Sequence, residues 1–417
     1  MRSLLTILIS LACTSLLWSQ PQPGDVFREY TWLPVAVQSP PGRFLRVGGP
    51  LDYRINPQHF PENRHHDGFI SLDQFLDLDD AIRAEISVEK IASHVDTKGF
   101  RVAVNGHASH VFPPLPDLPQ PESAYMYHAE VTVSIPLEEL KHGTGNTFSL
   151  AVDSTQRWDW PQHLVHGVTF RIYYEKADWK TFQVQVQADS GKWISHSARL
   201  SLDAPNASIR EVQYLAHYEG VDYEGNGTYR QWHGSLRRGT FTHHIGTADH
   251  YPFVATWRTD WIPDQDQPMK FAARVVRHDG LIYFTEAHPG WQLVRPFGVL
   301  LAKPLGTPKN WVTRSMEFET YFEVPPHVHQ IDSARVIWNS WSPCYSAGIF
   351  LNDQLVFDQA GPCYEALEFS IPILGKDLIH PGKNHIRSGQ TPRHEGQMVH
   401  GMEVQWPGIT CLIRYFP

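Results

Sequence analysis

The feature that most constrains this chain is that it repeats itself across a gap. Val133-Ser134-Ile135-Pro136, followed by Leu140, His142 and Asn146, returns as Phe369-Ser370-Ile371-Pro372, followed by Leu378, His380 and Asn384. Downstream, Leu164-Val165-His166-Gly167 recurs as Met398-Val399-His400-Gly401, and each copy closes with an Arg-Tyr-aromatic strand, Phe170 to Tyr174 and Leu412 to Phe416. Upstream, strand, turn and strand also match: Ala84 to Val88 then Phe100 to Gly106, against Ala334 to Trp338 then Ile349 to Asp353. A chain that carries one module twice builds one fold twice, with something different between the copies. His166 and His400 recur at equivalent points of otherwise different loops, which points to a shared structural task such as satisfying a turn carbonyl.

The periodicity is that of strands. Short apolar runs at Ala84 to Val88, Phe100 to Val104, Val131 to Ile135, Phe148 to Val152 and Val168 to Tyr174 are punctuated by Gly, Pro and Asn, and no stretch competes with helical spacing. Asn105-Gly106 between two such runs is a hairpin signal, because both turn positions need positive φ. Residues 21 to about 75, rich in Pro and Gly, are expected to lack regular structure before Phe69-Ile70. From Trp179 a second series begins: Phe182 to Val186, Ala198 to Leu202, Glu211 to His217, Phe253 to Trp257, Met269 to Val276 and Leu281 to Thr285, the last two joined by Asp279-Gly280. Strands at such turn intervals fit a separate sandwich. Pro289, Pro296, Pro304 and Pro308 then mark a semi-rigid connector back to the repeated module.

Met1 to Gln20 reads as a secretory signal, with Arg2, an apolar run from Leu4 to Trp18, and small Ser19 before Gln20-Pro21. No later segment holds the roughly 18 apolar residues of a spanning helix. The expected division is a signal peptide at 1–19, a sandwich over 20–175, a middle sandwich over 176–288, a linker over 289–315 and a second copy over 316–417. A formal charge of −9 without any run of basic residues argues against nucleic acid as a partner. Past the signal, Cys344, Cys363 and Cys411 remain, an odd count that allows one internal bridge in an oxidising compartment. Cys344 and Cys363 are the expected pair, since folding the hairpin about Asn352-Asp353 brings position 344 opposite about 361.

The repeated units, with their strand-Asn-turn-strand and Ser-Ile-Pro elements, resemble galactose-binding-like β-sandwiches, the jelly-roll class common among carbohydrate-binding modules and accessory domains of polysaccharide-degrading enzymes. The middle, with Glu211-Val212-Gln213-Tyr214 and Pro252-Phe253-Val254-Ala255-Thr256-Trp257, resembles bacterial Ig-like modules of secreted proteins. The resemblance implies an all-β protein in which two jelly-roll-like sandwiches flank an immunoglobulin-like one.

Several stretches could carry chemistry. Asp222-Tyr223-Glu224-Gly225-Asn226-Gly227-Thr228 places oxygen side chains at alternate positions before a glycine, as a structural calcium loop requires. It resembles the start of an Asp-x-Asp-x-Asp-Gly loop, with Asp222, Glu224 and Asn226 as ligands, but His233 stands where a closing glutamate is usual. The competing explanation is a polar hairpin shaped by Gly and Asn. Arg157-Trp158-Asp159-Trp160 suits a sugar, whose C–H faces match an indole and whose hydroxyls match carboxylate and guanidinium groups. The second copy has Thr391-Pro392-Arg393-His394-Glu395 there, without the aromatics, so Arg393, His394 and Glu395 are its candidates. Trp341 and Tyr345, in a Ser-Pro-Cys loop, are further surface candidates, whereas Trp338 is expected in the core.

For catalysis, His65, His66 and Asp67, the pair His243 and His244, and Arg393 to Glu395 are the groups available. A His-Tyr-Arg set could abstract a proton beside a uronic-acid carboxylate, with arginine neutralising the substrate charge. No nucleophile elbow, zinc-protease helix or phosphate-binding loop occurs, and no catalytic residue is assigned. The expectation is a secreted, non-catalytic protein that binds a glycan, polysaccharide or other extracellular surface. The alternative is a polysaccharide lyase or glycoside hydrolase working in a sandwich groove, and a third is a structural or adhesive envelope protein.

Overall fold

The computed structural model describes residues 20–35, 37–38, 41–48, 69–92, 98–115, 128–153, 163–175, 182–202, 204, 208–305, 318–358, 361–363, 365–373, 376–390 and 403–417. Regular structure among them is strand, apart from three-residue 3-10 turns such as Leu137–Glu139 and Lys376–Leu378. The all-β expectation holds. None of the described residues forms a helix long and apolar enough to cross a membrane.

The repeat is a repeat of sheets. In the first copy one sheet runs Val26–Trp32, His163–Tyr174, Ala81–Ala92, His128–Ile135, and its partner sheet runs Ile70–Leu72, Asn146–Asp153, Lys98–Val104, His110–Val111. In the second the order is Gly298–Ala302, Glu403–Phe416, Gln330–Trp341, Ala366–Ile373, faced by Phe318–Val324, Gly382–Gln390, Ser346–Leu351, Gln354–Phe357. Strand for strand the orders coincide. Alternate residues of the paired sheets point inward and close each core, with Ile86, Val88, Val102 and Phe148 in one and Val336, Trp338, Ile349 and Ile386 in the other.

Two asparagines per copy hold the hairpin to the following strand. Asn105, at φ 50°, donates from Nδ2 to the Glu139 carbonyl and to Asn146 Oδ1, and its own Oδ1 accepts from the Thr147 amide. Asn352, at φ 44°, does the same with the Leu378 carbonyl, Asn384 Oδ1 and the His385 amide. Asn146 and Asn384 are fully buried, and each closes its own turn by accepting the amide and donating to the carbonyl of one residue, Lys141 and His380 respectively. Buried amides so paired leave few backbone groups orphaned.

The register also corrects the motif that exposed the repeat. Ala84 faces Ile135 and Ala334 faces Ile373, so Ile135 matches Ile373, not Ile371. The Ser-Ile-Pro echo is displaced by two residues, which keeps the same face of the strand. Pro136 follows its strand, whereas Pro372 lies within Ala366–Ile373, an edge strand where a missing N–H is tolerated.

The middle sandwich sets Val184–Gln187, Ser197–Leu202 and Val254–Arg258 against a sheet built on Ile209–Glu219, Met269–Arg277 and Leu281–Phe284. That sheet continues into the first copy. Val26–Trp32 pairs along its length with His163–Tyr174 and, through Val26 to Arg28, with Leu281–Phe284. Two expectations change here. Residues 21 to 75 contain a seven-residue strand bracketed by Pro23-Gly24 and Pro34, with Val26 and Phe27 buried because both its edges are covered. The connector 289–315 is largely strand up to Ala302: His288–Leu293 belongs to the middle unit and Gly298–Ala302 to the last, with Pro289 beside a register shift and Pro296 between the two strands.

The two copies also touch each other. Trp341 meets Phe44 edge-on at 5.8 Å beside Ile91 and Leu164. Cys344 and Cys363 are bonded as expected, with Cα atoms 5.1 Å apart, and Cys411 is a buried free thiol.

Candidate active or binding cleft

Where the three units meet lies a cleft of about 200 Å³. The first copy contributes Glu89 and His128, the last Asn339 and Glu368, and the middle unit Tyr223, Arg237, Arg238, Thr242 and His243. Ladder register explains the pairing: Glu89 lies opposite Glu130, and Asn339 opposite Glu368, on the outward faces of equivalent strands. The middle unit reaches in through a small hairpin, Ser235–Arg237 with Thr240–Thr242, beyond which His243 takes φ 60°.

Two imidazole–carboxylate pairs line the cleft, one within the first copy and one between the middle unit and the last copy. His128 Nε2 is 2.8 Å from Glu89 Oε1, and the Arg238 amide donates to Glu89 Oε2 at 2.5 Å. His243 Nε2 is 2.8 Å from Glu368 Oε2, and the His243 ring stacks on Tyr223 at 4.5 Å. Arg237 donates from Nη2 to the Tyr223 carbonyl at 2.9 Å, while its Nη1 is buried without an acceptor. Burial, reinforced by Arg237 and Arg238, holds the His128 imidazole well below its ordinary pKa. His166 lies beside it, 5.6 Å ring to ring, and burial lowers it to about 4. Both rings are therefore neutral near pH 7. Burial also pushes the Tyr223 phenol up.

Beneath the cleft an ionic seam joins the first and middle units. Arg171, nearly all buried, donates to Glu29 at 2.8 Å, Glu85 at 3.2 Å and Glu130 at 2.6 Å, and Arg274 also bonds Glu29. Burial alone would raise the Glu29 pKa, but Arg274 and Arg171 outweigh it and hold the carboxyl below its usual value. Burial dominates at Glu85, whose pKa is raised.

The residues singled out from sequence fare unevenly. Arg157, Trp158, Asp159 and Trp160, Arg393, His394 and Glu395, and His65, His66 and Asp67 lie outside the described residues. Tyr345 ends the 3-10 turn Pro343–Tyr345, and its side chain also lies outside the description. Trp341 is corrected: 4% exposed, it is not a surface contact but part of the joint between the copies, because that joint removes its ring from water. Trp338 is core, 1% exposed and stacked on Phe369. His243 reaches the cleft, while His244 turns away to Thr247. His166 does bond a loop carbonyl, that of Arg43 at 3.2 Å, yet its Nε2 is left buried and unpartnered next to His128.

The expected calcium ligands Asp222, Glu224 and Asn226 accept hydrogen bonds within their own loop. Asp222 accepts the amides of Asn226 and Gly227, Glu224 accepts the Gly234 amide and the Gln231 side chain, and Asn226 Oδ1 accepts the Thr228 amide. Their oxygens close a turn on N–H donors of the same segment. Among the described residues, Asp77, Asp79 and His142 bring three ligand-type atoms within 4.8 Å of one another, but Arg28 already stands 3.5 Å from Asp77.

Glu89, His128, Arg237, Arg238 and Glu368 were not legible from sequence. They come from remote segments, and the one local cue is that Glu89-Lys90 sets two charges side by side in a strand whose polar and apolar residues otherwise alternate.

No family model matches the chain, and no curated protein matches it. Among solved structures, a beta-porphyranase of glycoside hydrolase family 86 from the human gut bacterium Bacteroides plebeius is similar over 58% of this chain and 38% of that one, at 9% identity and a TM-score of 0.20. An exo-beta-1,3-galactanase from Phanerochaete chrysosporium is similar over 76% of this chain and 69% of that one, at 9% identity and a TM-score of 0.18. This chain thus spans 38% of the length of the first, and at such TM-scores neither likeness carries an argument about fold or chemistry.

Proposed function

We propose that this chain is a secreted glycan-binding protein whose sugar site is the cleft between the three units. One observation supports it above others: guanidinium, imidazole, phenol and carboxylate groups from all three units open onto one small cleft. Sugars are recognised by such directed polar groups, and a volume of about 200 Å³ admits a single ring or chain end. The strands that flank the Arg157–Trp160 and Arg393–Glu395 segments begin at His163 and Glu403, whose ladder partners Ala92 and Trp341 end neighbouring strands at the joint between the copies. Secretion fits the apolar leader and the Cys344–Cys363 bridge. A glycan array probed with the full chain and with Tyr223→Ala and Glu368→Gln variants tests the proposal. Retention on specific glycans that both variants lose is expected; retention unchanged in both variants would place the site elsewhere.

A second reading, a polysaccharide-degrading enzyme, is favoured by the two imidazole–carboxylate pairs, His128–Glu89 and His243–Glu368, on one cleft. Reducing-end release together with ultraviolet absorbance of unsaturated uronide products, on a polysaccharide panel, tests hydrolysis and elimination at once. Product formation abolished by Glu368→Gln would replace binding by catalysis.

A further inference from the structure

Hydrogen-bond accounting in the cleft leaves a surplus of one kind. The carboxylates are engaged: Glu89 holds the His128 ring and the Arg238 amide, and Glu368 holds the His243 ring. The cations are not. Arg237 uses Nη2 on the Tyr223 carbonyl and keeps Nη1 buried without an acceptor. The Arg238 side chain is exposed at the same opening, and among the described residues its guanidinium has no hydrogen-bond or ion-pair partner. Sequence neighbours on the tip of one hairpin, both guanidiniums act on His128 strongly enough to help keep it neutral. An unpaired buried N–H is unfavourable by about 1–3 kcal/mol, so the cleft lacks acceptors, and the acceptors that suit two guanidiniums are the paired oxygens of an anion.

We infer that the cleft takes the anionic group of an acidic sugar, a carboxylate or a sulfate ester, between Arg237 and Arg238. This rests on the glycan-binding reading and narrows it to charged polysaccharides. Neutral His128 adds no charge of its own, so the attraction comes from the two arginines and is screened by salt.

Calorimetric titration of the full chain with polygalacturonate, a sulfated galactan and a neutral galactan tests it. At least one charged polymer should bind about tenfold or more tightly than the neutral one, and its affinity should fall as sodium chloride rises from about 50 to about 500 mM. The two charged polymers separate carboxylate from sulfate. Arg238→Gln, whose side chain is exposed, should lose about tenfold in affinity at an unchanged melting temperature, and Arg237→Gln should lose at least as much. Equal binding of charged and neutral polymers, or full affinity in Arg238→Gln, overturns the anion clamp and leaves glycan binding standing. No binding to any of the three overturns both.

Discussion

The outward faces of the two copies occupy the same positions in the same ladder and are covered by the same middle unit, yet differ in chemistry at one equivalent ladder pair. In the first copy Glu85 lies opposite Arg171; in the last the equivalent pair is Arg335 opposite Leu412. Around Arg171 gather Glu29, Glu85 and Glu130, with Arg274 of the middle unit. Around Leu412 gather Ile337, Val299, Phe297 and Val221. The inward faces could not diverge in this way, because each must fill a close-packed interior. The outer faces could: at this ladder position the middle unit meets an ion cluster on one side and an apolar cluster on the other, although Phe27 and Tyr173 also pack on Leu215 and Phe284, and Lys303 pairs with Glu219 at the last copy. The two copies are not interchangeable, and the cleft runs where the two kinds of face meet.

Breaking the charged side should have the largest effect. Arg171→Met strands buried carboxylates and should lower stability by about 3–5 kcal/mol in equilibrium denaturation; an unchanged midpoint would mean the seam contributes nothing. Acid should act on the same side. Glu29 has a depressed pKa in the fold, so its contribution is present above the ordinary carboxyl value and is lost as pH falls through the folded one. His166, at about 4 when folded against 6.5 otherwise, stays neutral in the fold and binds a proton when unfolded. Stability should therefore decline as pH drops from 6.5 towards 4, and a His166→Phe variant should flatten that slope in a melting-temperature profile. On the apolar side Leu412→Ala should remove about 2–4 kcal/mol by opening a cavity, with no change when the difference is followed from pH 7 to about 5. The smallest effect should also be the most even one. Asn146→Ala and Asn384→Ala each free buried backbone groups, and each should lower stability by about 1–3 kcal/mol; a clear inequality would show that the two clamps are not equivalent.

The repeat was legible because a core constrains side chains locally, and Asn105 and Asn352 sit at turns only a few residue types tolerate. The Cys344–Cys363 pair was legible for a similar reason, since one hairpin fixes both ends. What escaped depends on pairing between distant segments. Val26–Trp32 mixes Arg28, Glu29 and Thr31 with its apolar residues and lies between prolines, and the two strands beside it make it a strand. The cleft escaped for the same reason: Glu89, Arg238 and Glu368 are unremarkable surface-type residues until three units converge. Trp341 misled in the opposite sense, because an aromatic in a Pro-Cys loop looks exposed until another module covers it.

The position of Val26–Trp32 also orders events in time. Its ladder partners lie at Val168 to Tyr174 and at Leu281 to Tyr283, so this early segment must wait for chain made roughly 140 to 250 residues later before either edge can zip. During that interval Val26–Trp32 keeps both edges unpaired, which is the geometry that invites association with a second chain. This early strand is then the last stitch, and a refolding experiment on this protein should show the first and middle units acquiring their joint protection from hydrogen exchange in a single late step.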